Sequence, residues 1–117
     1  MLVRECYAAM NGDYDDVIGR LMNDDRVAKY LGKFVGSSDY QSMMDALEVK
    51  DYETAFRNVH SLKGMSLNLG FPRLRDVSSE LCEAIRNGEP TVDISAMVEN
   101  VTTEYNAVCN TIKDFAD

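Results

Sequence analysis

The chain has 117 residues, with 12 Lys and Arg against 20 Asp and Glu, a formal net charge of −8 and 45% hydrophobic residues spread along its length. That composition fits one folded domain with a modest core, and its acidity opposes any surface that must displace counterions from a phosphate backbone, so nucleic acid is not an expected partner. The longest apolar run, Cys6 to Met10, is five residues, against about 20 for a membrane span, and Glu5 stands where a secretory apolar segment would begin, so a cytoplasmic protein with no membrane association is expected.

In chain order, Asn11-Gly12 closes a short, weak first segment, and Asp13 then opens a stripe of Tyr14, Val17, Ile18 and Leu21 at helical spacing. Asn23-Asp24-Asp25 caps a second stripe, Val27, Leu31, Phe34 and Val35, which stops at Gly36-Ser37. Ser38 and Gln41 have the spacing of a capping box ahead of Tyr40, Met43, Met44 and Leu47. Asp51 caps a long helix whose seam runs through Tyr52, Ala55, Phe56, Val59, Leu62, Ser66 and Leu69 to Gly70. Pro72 suits the first turn of the next helix, which carries Leu74, Val77, Leu81, Ala84 and Ile85 before Asn87-Gly88-Glu89-Pro90. The last helix repeats Ile94, Met97, Val98, Val101, Tyr105, Val108, Ile112 and Phe115.

Short connections make sequential helices antiparallel neighbours. The expected fold is all-α: an antiparallel four-helix bundle over about 38–49, 51–70, 72–88 and 92–115, with two short N-terminal helices packed over one end, and residues 1–117 forming a single domain. Cys6, Cys82 and Cys109 are few, odd in number and far apart, so free thiols are expected and a zinc site is not. Asp13, Asp15 and Asp16 lack the spacing and glycine of a calcium loop and read as a charged first helical turn.

One cluster carries chemistry. His60, the sole histidine, lies one position off the buried seam, which puts its ring on a flank of the bundle. Lys63 and Gly64 follow at i+3 and i+4 on the same face. Imidazole is nucleophilic near neutral pH, lysine supplies a point charge for phosphoryl oxygens, and a glycine leaves the approach open. Glycine in mid-helix costs about 1 kcal/mol relative to alanine, so Gly64 needs a reason, and close helix packing is the alternative one. Counting outwards from a turn at Phe71 brings His60 level with Cys82, on a face shared by Arg75, Ser79 and Arg86. Arg86 is thus a second cation near His60, and Lys63, Arg86, Arg75 and Arg73 together would make a positive spot on an acidic body.

The run His60-Ser61-Leu62-Lys63-Gly64-Met65-Ser66-Leu67-Asn68-Leu69-Gly70 resembles the H-x-L-K-G-x-S-x-x-L-G signature of histidine-containing phosphotransfer (HPt) domains. The likeness continues through Leu81, Cys82, Glu83 and Arg86 and covers about residues 13–115. It implies a phosphoryl carrier without kinase activity in a histidine–aspartate phosphorelay of two-component signalling. His60 would accept the phosphoryl group on Nε2 from one receiver-domain aspartate and pass it to another. Lys63 and Arg86 would steady the phosphoryl oxygens, Gly64 would give steric access, Ser79 and Cys82 would surround the imidazole, and Phe56, Leu67 and Arg75 would contribute to docking. Partners would be response-regulator receiver domains and a hybrid sensor histidine kinase. No cofactor of its own is expected, magnesium coming with the receiver, and a monomer is expected. No Gly-rich phosphate loop is present, so ATP binding in a recognised form is not expected.

Two positions depart from the family pattern. Cys82 stands where many members carry a glutamine that holds the second imidazole nitrogen, and a thiol does this poorly. Leu67 stands where a small residue is usual and would add apolar area to the docking face. The alternative reading is an HPt-like helical adaptor that binds receivers without carrying phosphate. A covalent enzyme using His60 has less support, with no second histidine and no acid–base pair.

Overall fold

The helices start and stop on local side-chain chemistry. In the computed structural model, which describes residues 2–116, seven helices and no strand are found among the described residues: α1 Val3–Ala9, α2 Tyr14–Leu21, α3 Asp24–Val35, α4 Asp39–Glu48, α5 Tyr52–Leu69, α6 Pro72–Ile85 and α7 Ser95–Ala116. Asp13, Asn23 and Asp51 cap α2, α3 and α5 by accepting from the amides of Asp16, Arg26 and Thr54, which satisfies donors that a helix leaves unpaired at its N-terminus. The Asp51 carboxylate also accepts from Thr54 Oγ1 at 2.7 Å, and these two bonds hold its pKa below the ordinary aspartate value.

The expected capping box at Ser38 and Gln41 does not form. Ser38 makes no side-chain cap bond; Ser37 Oγ instead accepts from the Asp39 amide and donates to the Asp39 carboxylate, and Gln41 donates to Asp45 one turn on. Asp39 is drawn into tertiary structure, accepting from Ser61 Oγ of α5 at 2.7 Å, so the start of α4 follows that link rather than a local box. The expected helix over 72–88 ends at Ile85, with Gly88 at φ 98° leading the chain away. The last helix starts at Ser95, where the Asp93 carboxylate accepts from both the amide and the hydroxyl of Ser95.

Helices α4 to α7 form the bundle, and members of the expected seams close its core: Met43, then Ala55, Val59 and Leu62, then Leu74, Leu81 and Ile85, then Val101, Val108 and Ile112 are all buried, joined by Ala46 from outside the expected stripe. The weak first segment is a helix in its own right, so three short helices rather than two precede the bundle. Seven residues are too few to hold a helix alone. Tertiary burial of Val3, Cys6 and Tyr7, at i, i+3 and i+4, holds this one.

The three helices cover the end of the bundle where α5 turns into α6. An aromatic chain stitches them down: Tyr14 against Tyr7, Tyr7 against Phe71, Phe71 against Phe34, Phe34 against Tyr105, and Tyr105 stacked on Tyr40 at 4.3 Å. They also complete α5. A helix leaves its last carbonyls unpaired, and here Arg20 donates to the carbonyls of Leu67 and Asn68 while the buried Tyr7 hydroxyl donates to that of Leu69 at 2.8 Å. Gly70 then takes the left-handed conformation at φ 72°, accepts from the Asp13 amide, and leaves no room for a Cβ, which would meet Asp13 O at 2.8 Å. Position 70 therefore demands glycine both for its backbone angles and for its space.

Candidate functional site

Helix α5 buries Ala55, Val59, Leu62, Ser66 and Leu69, and the residues between them fix what faces outwards. His60, Gly64 and Leu67 are exposed on one side, Leu67 to 56%. Lys63 is half-buried on the flank that adjoins α6. The α5–α6 hairpin has the register that counting from Phe71 predicts: His60 meets Cys82, and Phe56 meets Arg86, each pair lying equally far either side of the turn.

The imidazole is held on two sides. Its Nδ1 lies 3.9 Å from the buried Cys82 Sγ, and its ring stacks on Phe56 with centroids 5.8 Å apart and planes 21° from parallel. Burial pushes the Cys82 thiol pKa up, against the opposing pull of the Lys63 and Arg86 charges, so the sulfur stays protonated and uncharged at neutral pH. It can accept weakly from Nδ1–H, the tautomer in which Nε2, at the far edge of the ring, carries the free lone pair. Ser79 stands one turn nearer the hairpin, level with Lys63, and forms no hydrogen bond with the imidazole.

The cations divide. Lys63 makes no ion pair among the described residues, whereas Arg86 is bound to Glu83 of its own helix and lies over the Phe56 ring, 5.4 Å from its centroid. That contact raises the Arg86 pKa and lowers that of Glu83. Arg75 pairs with its neighbour Asp76 and Arg57 with Glu53. Two cations of the expected positive spot, Arg75 and Arg86, are thus paired locally, while Lys63 and Arg73 make no ion pair among the described residues, and Lys63 is the one of these beside His60. Glu83 is the residue that the reading of charges passed over; its i, i+3 spacing to Arg86 was the available signal.

Gly64 settles a second question. A Cβ built there meets nothing within 4 Å, and its φ is not among the positive ones, so neither helix packing nor backbone conformation requires glycine at this position. The glycine leaves open space on the surface one turn from His60. Among the described residues no group of three His, Cys, Asp or Glu side chains could hold a metal ion, and no helix is long and apolar enough to cross a membrane.

An exposed histidine followed by an unpaired lysine and an unexplained glycine, on the second helix of a four-helix bundle, matches a known pattern. A family model for the Hpt domain matches residues 35–111, more than half of the chain. The chain belongs to the Hpt domain family. No curated protein and no solved structure matches it. Hpt domains are phosphocarriers that act in histidine–aspartate phosphorelays with receiver domains. The family match takes in the bundle core from α4 to most of α7 and leaves α1, α2 and nearly all of α3 outside it, although α1 and α2 supply the donors to the last carbonyls of α5 in this Hpt protein.

Proposed function

We propose that His60 Nε2 is the phosphoryl acceptor and donor of this Hpt domain. The observation that carries the proposal is the open surface at Gly64, one turn from an exposed imidazole, where nothing inside the chain needs a glycine. In the forward step the Nε2 lone pair forms a nitrogen–phosphorus bond as the oxygen–phosphorus bond of a receiver's acyl phosphate breaks, and the aspartate leaves as a carboxylate. Transfer to a second receiver is the reverse of this step.

Lys63, unpaired and one turn away, balances charge on the phosphoryl oxygens. Cys82 favours the Nδ1–H tautomer, and Leu67 and Phe56 supply apolar area for docking. The receiver brings the magnesium and most of the catalytic groups; this chain contributes the nucleophile, one cation and a cleared approach. The receivers are those of a hybrid histidine kinase and of a response regulator, met by a monomeric carrier.

The test is to charge a receiver domain with a small-molecule phosphodonor, add the protein, and follow acid-labile, base-stable label on wild type and on His60→Gln. Label on wild type and none on the variant is the expected result. Retained label on His60→Gln would refute the assignment. The long, weak contact between Cys82 and His60 favours one second reading, a receiver-binding adaptor that carries no phosphate; tight receiver binding with no label on wild type would put that reading first.

A further inference from the structure

We propose that Arg86 is a positioning residue for His60, acting through the Phe56 ring rather than on the phosphoryl group. The inference rests on the reading of His60 as phosphoacceptor and assigns how its ring is held. Four contacts in series support it. Glu83 binds the Arg86 guanidinium through two of its nitrogens, the guanidinium lies over Phe56, Phe56 stacks on the imidazole, and the imidazole Nδ1 meets Cys82. Three of these groups, Cys82, Glu83 and the C-cap residue Arg86, come from the C-terminal end of α6, and two, Phe56 and His60, from one turn of α5. The antiparallel register brings the two together.

The physical need for such a device follows from Cys82. A neutral thiol is a weak hydrogen-bond partner, so the contact on Nδ1 orients the ring poorly by itself. A planar stack restricts the remaining freedom, because offset-stacked rings resist rotation of either plane. Phe56 is itself half-exposed and would be mobile on the surface; a guanidinium over the ring, with its own position set by a carboxylate on the same helix, holds it in place. Arg86 is thereby occupied twice, and it stands level with Phe56, a full turn from the histidine. Lys63 has neither engagement. The two cations nearest the site thus have different tasks.

Two measurements test the inference, one of which does not depend on phosphorylation. His60 is the sole histidine, so a long-range proton–nitrogen spectrum of the unphosphorylated protein reports one imidazole without ambiguity. Arg86→Ala should move the imidazole carbon-bound proton shifts in the same direction as Phe56→Leu, because both loosen the ring current of Phe56 on His60. Unmoved imidazole shifts in Arg86→Ala would overturn the proposal whatever the relay assay shows.

The second measurement is the initial rate of His60 labelling by phosphoramidate, in which no receiver docks. Arg86→Ala should slow it about two- to fivefold, the scale of an exposed cation–π contact, and should add nothing in a Phe56→Leu background. Phe56→Tyr, which keeps the ring, should label within twofold of wild type, whereas Arg86→Lys, which keeps the charge but not the planar fork, should resemble Arg86→Ala. An equal factor for Arg86→Ala in both backgrounds, or full rescue by lysine, would show a direct charge effect on the phosphoryl group and refute the inference. Absence of label on wild type would fall on the phosphoacceptor reading and leave the spectroscopic test standing.

Discussion

Replacing Gly64 separates stability from function in opposite directions. Glycine inside a helix is about 0.8–1.0 kcal/mol less favourable than alanine, and here nothing offsets that cost, because an added Cβ touches no atom within 4 Å. Gly64→Ala should therefore raise the stability of the isolated protein by about 1 kcal/mol. For a chain of 117 residues, with an unfolding entropy of about 2.1 cal/mol/K per residue, that corresponds to a melting temperature higher by about 4 °C. Gly64→Gln, a good helix former with a longer side chain, should keep most of this gain. Transfer from a charged receiver should fall modestly for alanine and by at least tenfold for glutamine, because the side chain then occupies the surface one turn from His60. Labelling by phosphoramidate, which needs far less room, should change little. Differential scanning calorimetry and the two labelling assays check this together. A lower melting temperature for Gly64→Ala would refute the premise that the site has free space. A stabilised Gly64→Gln with unaltered receiver-dependent transfer would remove the functional explanation of the glycine.

Tyr7→Phe should cost about 1–3 kcal/mol, the penalty for leaving a buried carbonyl, that of Leu69, without its donor, and urea unfolding would read it as a shift in midpoint at constant slope. A fragment of residues 35–111, the part that matches the family, should lack cooperative unfolding by near-ultraviolet circular dichroism, since it loses Tyr7, Arg20 and Phe34 and exposes Phe71 and Tyr105. All three thiols are buried, and burial raises each pKa, so a thiol reagent at neutral pH should react with none of them rapidly in the native protein and with all three in denaturant. Asp51 has a folded pKa below its unfolded value, set first by the Thr54 hydroxyl bond and then by the Thr54 amide bond. Its contribution is therefore present at neutral pH and lost as pH falls through the aspartate range: the gap in melting temperature between wild type and Asp51→Asn should close on acidification.

What could be read from the sequence was what short-range chemistry dictates. The bundle seams, the caps at Asp13, Asn23 and Asp51, and the stop at Gly70 depend on residues a few positions apart. The pairing of His60 with Cys82 followed from one turn and the constant rise of a helix. The rest rests on long-range partners that no spacing encodes. Arg20 and Tyr7 cap α5 from 47 to 62 positions away, and the start of α4 is tied by Asp39 to Ser61, 22 positions on, in place of the expected box of Ser38 and Gln41. The first helix was missed because its three buried side chains form too short a stripe to stand out from a loop. Ser79 shares a helical face with Cys82, but three residues of separation set it most of a turn along the axis, at the level of Lys63.

The same distinction bears on the charges. Reading Lys63, Arg73, Arg75 and Arg86 as one positive spot sums formal charges and ignores how each is spent. Arg75 and Arg86 are matched by a carboxylate on the same helix within four residues, and such exposed pairs are weak and screened. A partner's carboxylate can therefore displace Asp76 from Arg75 at little cost, so Arg75 stays available for docking while contributing little to the field at a distance. Arg86 differs, because leaving Glu83 would also mean leaving Phe56, and with it the stack on His60. An acidic body that keeps one free lysine at its histidine presents a local charge and a cleared surface rather than a long-range field. Recognition by such a site is governed by contact geometry around Gly64 and Leu67, and the association rate should depend only shallowly on ionic strength.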